Sequence, residues 1–384
     1  MAEQRIGIIV NGATGRMTRN QHLKNALIAI RDEGGIAAAD GSRIVPDVLV
    51  VGRDAERLRA LAAEFQLGDR YTTDLDAALA DPRYPVYFDG VTTRLRAANL
   101  RRAIAAGKHI YCEKPIAEAT DEAAEIARLA HERGIRHGVV HDKLWAPGLR
   151  KMKQLALSGF FGRILTVRID GCYWVFEGDL QPPQRPSWNY RAAEGGGMIF
   201  DMMPHYRYML EDLVGPIRRM VCIGANQVRE RWDEQGRPYQ ADADDACFAI
   251  LELEDGVIAQ IISSWCVRVR RDDIVTMQID GTNGSAVAGL SHCWIQPHMA
   301  TPKAQWSLDL ANPVDFHADW QRVPETEPYV NAFRAQWEQF LRHVVNGAPF
   351  PWTLDAGAQG VRLAALATQS WKERRWVDVG TLPG

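Results

Sequence analysis

The sequence predicts a two-domain α/β protein, in which a doubly wound parallel sheet precedes an α+β domain with a large, mostly antiparallel open sheet. Units of one apolar strand and one helix repeat up to about residue 145. Longer runs that alternate apolar and polar residues follow from about residue 164. At 384 residues, the chain also exceeds the size of one ordinary core. We therefore predict domains over 1–145 and 146–384.

The elements of the first domain follow from apolar runs and their bounding turns. Strands are predicted over 5–10, 48–51, 86–88, 110–112 and 138–141, and helices over about 18–30, 55–64, 95–106 and 121–133. Residues 33–47 are interpreted as a loop inserted before the second strand. This alternation is typical of a parallel sheet with helical crossovers.

The second domain begins with a helix over about 147–158. Strands are predicted over 164–173, 217–229, 246–253, 257–267, 274–280 and 285–290, with a hairpin turn at 281–284. Late in the chain, Phe333, Trp337 and Phe340 belong to an apolar helical stripe that we interpret as core. A final helix over about 355–373 is free to pack back on the first domain.

Composition excludes several classes of protein. The net charge of −3 argues against a nucleic-acid binder. There is neither an apolar run of about 18 residues nor a signal-peptide pattern, so we expect a cytoplasmic protein without membrane contact. The six cysteines lack Cys-x-x-Cys spacing and are expected to be reduced thiols. His292, Cys293 and His298 lack convergent spacing, and no metal is assigned.

A glycine turn follows the first strand. Gly12, Ala13, Thr14, Gly15, Arg16 and Met17 lie between that strand and the next helix, where backbone N–H groups can cradle a pyrophosphate. Val10 stands where the first glycine of G-x-G-x-x-G is usual, so the motif is incomplete. The turn predicts a dinucleotide site only together with other signals.

The tip of the second strand bears on the choice of dinucleotide. Gly52 and Arg53 stand where an acid would usually bind the ribose hydroxyls of NAD, and an arginine suits the 2′-phosphate of NADP. Asp54 could serve NAD or cap the following helix. We expect NADP or NAD, with NADP favoured.

The strand over 110–112 ends in Glu113, Lys114 and Pro115. Proline ends strand pairing, which places Lys114 at the carboxyl edge of a parallel sheet, where such folds bind ligands. A half-buried lysine there is a candidate catalytic group, because desolvation favours loss of its proton. An ordinary surface lysine in a strand-to-helix turn is the alternative.

A second constellation lies in the second domain, where Gly195, Gly196 and Gly197 precede Asp201 and His205. On a helix, residues four apart share a face, so the carboxylate can hold the imidazole or act beside it. An Asp-x-x-x-His pair on its own is more often structural. Trp188, Asn189 and Arg191 before the glycines, with Lys143 and Trp145 after the last strand of the first domain, are candidate substrate-binding residues.

The glycine turn, Glu113–Lys114–Pro115 and GGG-x-x-x-Asp-x-x-x-His together resemble the Gfo/Idh/MocA oxidoreductases over nearly the whole chain. The resemblance implies a Rossmann domain, a nicotinamide cofactor, and a homodimer or homotetramer formed through the C-terminal sheet. It also implies that Lys114 is the catalytic lysine, Asp201 a substrate-orienting acid and His205 the proton acceptor. Thr92 and Glu113 become candidate cofactor contacts, although the usual Ala-Thr-Pro-Asn turn is Gly90–Val91–Thr92–Thr93 here.

Three functions are compatible with these residues. The leading one is an NAD(P)-dependent dehydrogenase that acts on a secondary hydroxyl of a sugar, glycoside or cyclitol. A rival is an NAD-dependent glycoside hydrolase that oxidises C3 transiently and eliminates the aglycone. A non-catalytic NAD(P)-binding sensor is the third, but a sensor needs no proton-transferring Lys114, Asp201 and His205.

Overall fold

The computed structural model describes residues 2–174, 186–303, 314–325, 328 and 330–380. They form two compact units, one of Met1–Trp145 with Val330–Ala365 and the other of Ala146–Tyr329 with Leu366–Thr381. The sequence interpretation assigned 146–384 to the second domain and let only the last helix return. In the structure, the helix Ala332–Asn346 belongs to the first unit, and the last helix, Leu354–Glu373, is divided between the two units after Ala365.

A parallel sheet organises the first unit. In its described part, strands pair in the order β2-β3-β1-β5-β6-β7, with β4 beside β3, and only the β2–β3 pair is antiparallel. The strands are β1 (Glu3–Asn11), β2 (Ile36–Ala37), β3 (Arg43–Val51), β4 (Tyr71–Thr72), β5 (Val86–Asp89), β6 (His109–Cys112) and β7 (His137–Val139). The predicted doubly wound parallel sheet is confirmed.

Helices cover both faces of this sheet, which explains why its central strands are almost entirely apolar. A π-helix over Thr18–Ile28 continues into α1 (Ala29–Asp32), followed by α2 (Ala55–Glu64), α3 (Leu75–Ala80), α4 (Thr93–Ala105), α5 (Thr120–Glu132) and a 3₁₀ turn over Asp142–Trp145. The helix predicted over about 18–30 is present, and its first eleven residues are a π-helix. Such i→i+5 segments are frequent at functional sites.

The returning helix of the first unit, named α8 (Ala332–Asn346), completes this core. Its Trp337 ring lies 5.3 Å from that of Phe88, and Phe340 stacks on Tyr111 at 4.6 Å, all measured between ring centroids. Trp337 and Phe340 are fully buried. The apolar stripe predicted late in the chain is therefore core.

The segment over 33–47 is a hairpin, and its interpretation as a loop was wrong. Ile36 of β2 pairs with Ile44 of β3, and both side chains are buried. Asp40 accepts hydrogen bonds from the backbone N–H and hydroxyl of Ser42, which closes the turn. The run Gly-Ser-Arg resembled a loop, whereas the buried isoleucines on each side determined the pairing.

The second unit is built on a mixed sheet whose strands follow the order β17-β16-β15-β14-β8-β13-β12-β9-β18 in the described residues. Its strands are β8 (Ile164–Cys172), β9 (Ile217–Ala225), β12 (Ala246–Leu253), β13 (Ile258–Ser264), β14 (Val275–Gly281), β15 (Gly284–Ala288), β16 (Cys293–Pro297), β17 (Gln321–Arg322) and β18 (Val377–Asp378), beside a separate hairpin of β10 (Glu230–Trp232) and β11 (Pro238–Gln240). Among the described neighbouring strands of this sheet, β8 and β13 form the one parallel pair. The predicted, mostly antiparallel second sheet is confirmed.

The remaining helices are α6 (Pro147–Leu157), α7 (Met198–Leu213) and α9 (Leu354–Glu373), with 3₁₀ segments over Ser187–Tyr190, Ala192–Glu194, Glu254–Gly256 and His298–Ala300. None of the helices in the described ranges combines the length and apolar character needed to span a membrane. All six cysteines are free thiols.

Candidate active site

The glycine turn lies at the carboxyl edge of the parallel sheet, directly after β1. Gly12 adopts a φ of 75°, and a Cβ there would lie 2.9 Å from backbone atoms of Gly90. The N–H of Gly12 donates to the carbonyl of Val51 at 3.0 Å, and that of Gly15 to the carbonyl of Gly12 at 2.9 Å. Only glycine fits at position 12, because conformation and space both exclude a side chain.

The predicted cofactor residues of this turn are partly accessible. Ala13 is buried, Thr14 is half-buried, and Gly15, Arg16 and Met17 are exposed. The N–H groups of Gly12, Ala13 and Gly15 are hydrogen-bonded to backbone carbonyls, so a phosphate at this helix start has to bind other N–H groups of the turn.

A buried polar network begins at Asn11, the residue that precedes the turn. The Asn11 amide donates to the Tyr87 hydroxyl at 2.9 Å, and that hydroxyl donates to the Asp89 carboxylate at 2.6 Å. Asp89 forms a buried ion pair with Arg96 at 3.3 Å. Burial raises the pKa of Asp89 above its ordinary value, although Arg96 and the Tyr87 hydroxyl act in the opposite direction.

Arg96 links two loops at this edge. Its guanidinium donates to the carbonyl of Val91 at 2.5 Å and to the carbonyl of Pro115. The turn that carries Thr92 is thereby held against the turn that carries Lys114. Thr92 itself is exposed, at the N-cap of α4. Sequence reasoning missed this role of Arg96. The available signal was its position at the start of α4, shortly after the acid Asp89 at the end of β5.

Lys114 is half-buried immediately after β6 and precedes Pro115 through a cis peptide bond. The neighbouring Glu113 carboxylate lies 2.8 Å from His22 Nε2 and accepts the backbone N–H of Lys114 at 3.2 Å. Burial would raise the pKa of Glu113, but the His22 hydrogen bond and the charges of Arg96 and Lys114 hold it below its ordinary value. Glu113 is therefore an ionised carboxylate that holds the loop of Lys114.

The tip of β3 carries Arg53, which is exposed. Asp54 accepts the backbone N–H of Arg57 at 3.0 Å and is the N-cap of α2. Of the two roles that the sequence left open for Asp54, the structure shows the cap. Because neighbouring parallel strands end at the same edge, Arg53 and the glycine turn belong to one edge of the sheet.

Two predicted sugar contacts follow β7 on the 3₁₀ turn. Lys143 is half-buried and forms an ion pair with Asp142. The ring of Trp145 meets that of Trp352 edge to face at 5.2 Å. The ring of Trp145 therefore contributes to packing within the first unit.

In the second unit, the glycines form the entry to α7. A Cβ on Gly196 would lie 2.5 Å from the carbonyl oxygens of Trp188 and Asn189, and the N–H of Gly197 donates to Asn189 at 3.0 Å. Gly197 has a φ of 130°, and a Cβ there would lie 2.7 Å from Asp244. These two glycines allow close packing of loop on loop.

Asp244 caps α7 and was not identified from the sequence. Its carboxylate accepts the N–H of Ile199 at 2.7 Å, and its carbonyl accepts that of Met198 at 2.8 Å. Burial raises the pKa of Asp244 to about 6, against the hydrogen bonds from backbone N–H groups, which lower it. No local signal marked this residue, because it lies 45 positions from its partner.

α7 carries both predicted catalytic residues of this unit, with Pro204 inside the helix. Asp201 is half-buried in the first turn, and His205 is 6% exposed one turn later. His205 Nδ1 lies 2.6 Å from the hydroxyl of Tyr208, which is 3% exposed. Sequence reasoning missed Tyr208, although its spacing of three from His205 places both on one helix face.

The loop before α7 holds the remaining predicted sugar contacts. Trp188 is 40% exposed, whereas Asn189 is buried and its amide donates to the Pro186 carbonyl at 2.9 Å. Arg191 bonds Glu194 at 3.3 Å and lies over the Tyr239 ring at 4.4 Å. Trp188 is the aromatic residue among these three, and its ring is accessible.

One group of metal-ligating side chains lies close together in the described residues, namely His131, His137 and Asp355, with ligand atoms within 4.8 Å of one another. The His131 ring bonds the Asp355 carboxylate at 2.8 Å, and His137 Nδ1 accepts the N–H of Leu354 at 3.2 Å. All three side chains are thus hydrogen-bonded within the protein.

Comparison with known proteins defines the class of the chain. Residues 6–141 match the NAD-binding Rossmann-fold domain of an oxidoreductase family, and residues 149–287 match the GFO/IDH/MocA C-terminal domain. The class is that of an NAD-binding oxidoreductase. More narrowly, the chain belongs to the Gfo/Idh/MocA family, as its motifs suggested.

Relatives of known name agree with this assignment. The chain is 47% identical over 378 residues to D-xylose dehydrogenase of Paenarthrobacter nicotinovorans, covering 97% of each protein. It is 27% identical over 259 residues to 1,5-anhydro-D-fructose reductase of Ensifer adhaerens, covering 66% of this chain and 70% of the relative. Levoglucosan dehydrogenase, solved with NADH and levoglucosan, shares the fold at a TM-score of 0.80 and 20% identity, over 98% of this chain and 100% of the other.

Proposed function

We propose that this protein is an NAD(P)-dependent sugar dehydrogenase that oxidises a hydroxyl-bearing carbon of D-xylose or an aldose of similar size. The single observation that carries the proposal is the 47% identity to a D-xylose dehydrogenase over 97% of both chains. Lys114, Asp201 and His205 in one chain support catalysis over a sensor, because a sensor needs no proton transfer.

The first unit fits a dinucleotide on the evidence of its glycine turn. Space and conformation reserve position 12 for glycine, so a pyrophosphate can approach the backbone of Gly12–Met17. Thr92 and Glu113 complete the proposed cofactor contacts at the same edge. When bound, the nicotinamide supplies the hydride acceptor.

Proton transfer is assigned to the second unit's histidine. His205 takes the hydroxyl proton at Nε2, which requires that Nδ1 carry a hydrogen and donate it to Tyr208 at 2.6 Å. The Tyr208 hydroxyl accepts in this arrangement and stabilises the tautomer that leaves Nε2 basic. Asp201, one turn before His205 on α7, orients His205 or a neighbouring hydroxyl.

Lys114 stabilises the negative charge that develops on the sugar oxygen. Its side-chain nitrogen is a hydrogen-bond donor, and the Glu113 carboxylate accepts the backbone N–H of Lys114 and holds its loop. We assign Lys143, Trp145, Trp188, Asn189 and Arg191 to substrate binding. Trp188 supplies a stacking face, and Lys143 supplies a donor.

Arg53 favours NADP as the dinucleotide, because it is exposed at the tip of β3 while Asp54 is engaged as a helix cap. Arg53→Ala should raise the KM for NADP about 10-fold or more and change that for NAD by less than about threefold. Steady-state kinetics with both coenzymes measure this, with the exposed Arg59→Ala as control. Equal effects on both coenzymes would contradict the preference.

A homodimer or homotetramer is proposed through the open sheet of the second unit. One set of side chains along β8, β13, β12 and β9 is both apolar and 40% to 50% exposed: Leu165, Ile258, Phe248, Ile250 and Ile223. Apolar patches of this kind mark protein interfaces. A second copy of the chain is the proposed occupant.

The test is turnover of sugars followed by NADH or NADPH absorbance, with product analysis. Net reduction of coenzyme by D-xylose is expected, and the product identifies the oxidised carbon, since C1 oxidation yields a lactone and secondary oxidation a ketone. Cleavage of a glycoside without net NADH would favour the hydrolase instead. Coenzyme binding without turnover on any sugar or glycoside would favour the sensor.

A further inference from the structure

His22 is a fully buried histidine on the π-helix that the function described above does not use. Its Nδ1 accepts a hydrogen bond from the Trp337 indole N–H at 3.0 Å, and its Nε2 lies 2.8 Å from Glu113 Oε1. An indole nitrogen only donates, so Nδ1 carries the lone pair and Nε2 carries the hydrogen. The tautomer of His22 is therefore set by Trp337, and its N–H is directed at Glu113.

The hydrogen-bonded series continues to the catalytic loop. The second carboxylate oxygen of Glu113 accepts the backbone N–H of Lys114 at 3.2 Å. Trp337, His22, Glu113 and Lys114 thus form one series that runs from α8 through the π-helix to the end of β6. Both oxygens of the carboxylate are engaged, so its orientation is defined.

The surroundings of His22 are apolar. Its ring lies 4.3 Å from that of Phe88 and 5.0 Å from that of Phe333, measured between centroids. A leucine or phenylalanine would suit such a place without the cost of burying two polar nitrogens. Compared with an apolar side chain, the imidazole of His22 adds an N–H donor that is directed at the Glu113 carboxylate, next to Lys114.

We propose that His22 is a positioning residue for Lys114, acting through the Glu113 carboxylate and with its tautomer fixed by Trp337. The proposal rests on the proposed function, in which Lys114 binds the reacting oxygen. His22 fixes the rotamer of Glu113, and Glu113 holds the backbone of Lys114 in place.

The charges around Glu113 also bear on the state of its carboxylate. The titratable and charged groups that face Glu113 are His22 from the π-helix, Arg96 from α4, Tyr111 and Cys112 from β6, and the neighbouring Lys114. The His22 hydrogen bond is the largest of the effects that lower the pKa of Glu113. Without that bond, burial dominates, and Glu113 is more readily protonated beside the Lys114 ammonium.

Two substitutions interrupt this series of hydrogen bonds at different points. His22→Leu deletes both nitrogens, and Trp337→Phe deletes only the N–H that fixes the tautomer while keeping an aromatic ring. His22→Gln retains one donor and one acceptor and serves as the conservative variant. His137→Leu is the matched control, because His137 is a buried histidine of the same unit whose Nδ1 accepts a backbone N–H.

The expected kinetic result is a loss of kcat of about 10- to 100-fold in His22→Leu and a smaller loss in Trp337→Phe, with the KM for sugar and the coenzyme Kd within about threefold. His22→Gln should recover most of kcat, and His137→Leu should lower stability only. If His22→Leu fails to fold, Trp337→Phe carries the kinetic test. Wild-type kcat in folded His22→Leu or in Trp337→Phe would overturn the proposal.

A second measurement does not depend on turnover. In protein labelled with ¹³C at the glutamate carboxyl, the Glu113 signal is assigned by its absence in Glu113→Gln and titrated by NMR. The proposal expects a midpoint that rises in His22→Leu and stays near wild type in His137→Leu, and an unchanged midpoint in both overturns it. An absence of sugar oxidation by the wild type would refute the proposed function, while this titration would still test the link from His22 to Glu113.

Discussion

Replacing Tyr208 by phenylalanine tests whether its hydroxyl stabilises the reactive tautomer of His205, the proposed base. The hydroxyl lies 2.6 Å from His205 Nδ1, with both side chains nearly fully buried. Without it, the tautomer with a hydrogen on Nδ1 loses its hydrogen bond to Tyr208, and the loss of a buried hydrogen bond costs about 1–3 kcal/mol. The imidazole then favours the tautomer that blocks Nε2. At about 1.4 kcal/mol per factor of ten, kcat/KM should fall about 10- to 100-fold.

The same helix offers a matched control. Tyr206 is also buried on α7, and its hydroxyl lies 2.6 Å from Ser263 Oγ, so Tyr206→Phe loses a similar hydrogen bond that does not involve His205. Steady-state kinetics and thermal unfolding of both variants separate the two effects. Tyr206→Phe should lose stability at normal kcat/KM. If folded Tyr208→Phe kept kcat/KM within about threefold of wild type, the tautomer argument would be refuted.

Two further predictions concern glycine strain and pH. Gly12→Ala should weaken NAD binding at least about 10-fold in a calorimetric titration, because its Cβ meets the Gly90 backbone at 2.9 Å, whereas Gly68→Ala, with a φ of 61° and open space, should lose stability alone. Equal NAD affinity in both variants would contradict this. Asp244 has a pKa of about 6 in the folded protein against 3.8 ordinarily, so its contribution to stability is present below about pH 4 and is lost as pH rises to about 6. Asp244→Asn, which stays neutral, should therefore gain in Tm over the wild type between about pH 4.5 and pH 7.5, and a constant difference would contradict that.

Much of the fold could be predicted because local pattern and tertiary role coincide. Apolar runs such as Ile110–Cys112 are buried on both faces in a parallel sheet, and proline and glycine mark their ends. The interpretation of 33–47 as a loop was wrong because β2 has only two residues and the polar turn after it dominates the local composition. The pairing of Ile36 with Ile44 is a tertiary contact between two buried side chains, and such a contact is not visible in a linear pattern.

The site could be predicted only where its residues lie in contiguous motifs. Lys114 and His205 stand in short recognisable runs, and their roles remain proposals. His22 and Asp244 act on residues 91 and 45 positions away, so no local spacing indicates them. The role of Arg96 depends on where its guanidinium points, which composition does not specify.

The most direct test of the account compares coenzyme reduction by D-xylose in the wild type, Lys114→Ala and His205→Ala, with NAD(P) affinity measured alongside. The account predicts that each substitution lowers kcat by about 100-fold or more while coenzyme Kd stays within about threefold. Near-normal turnover in either folded variant would contradict the assignment of that residue to catalysis.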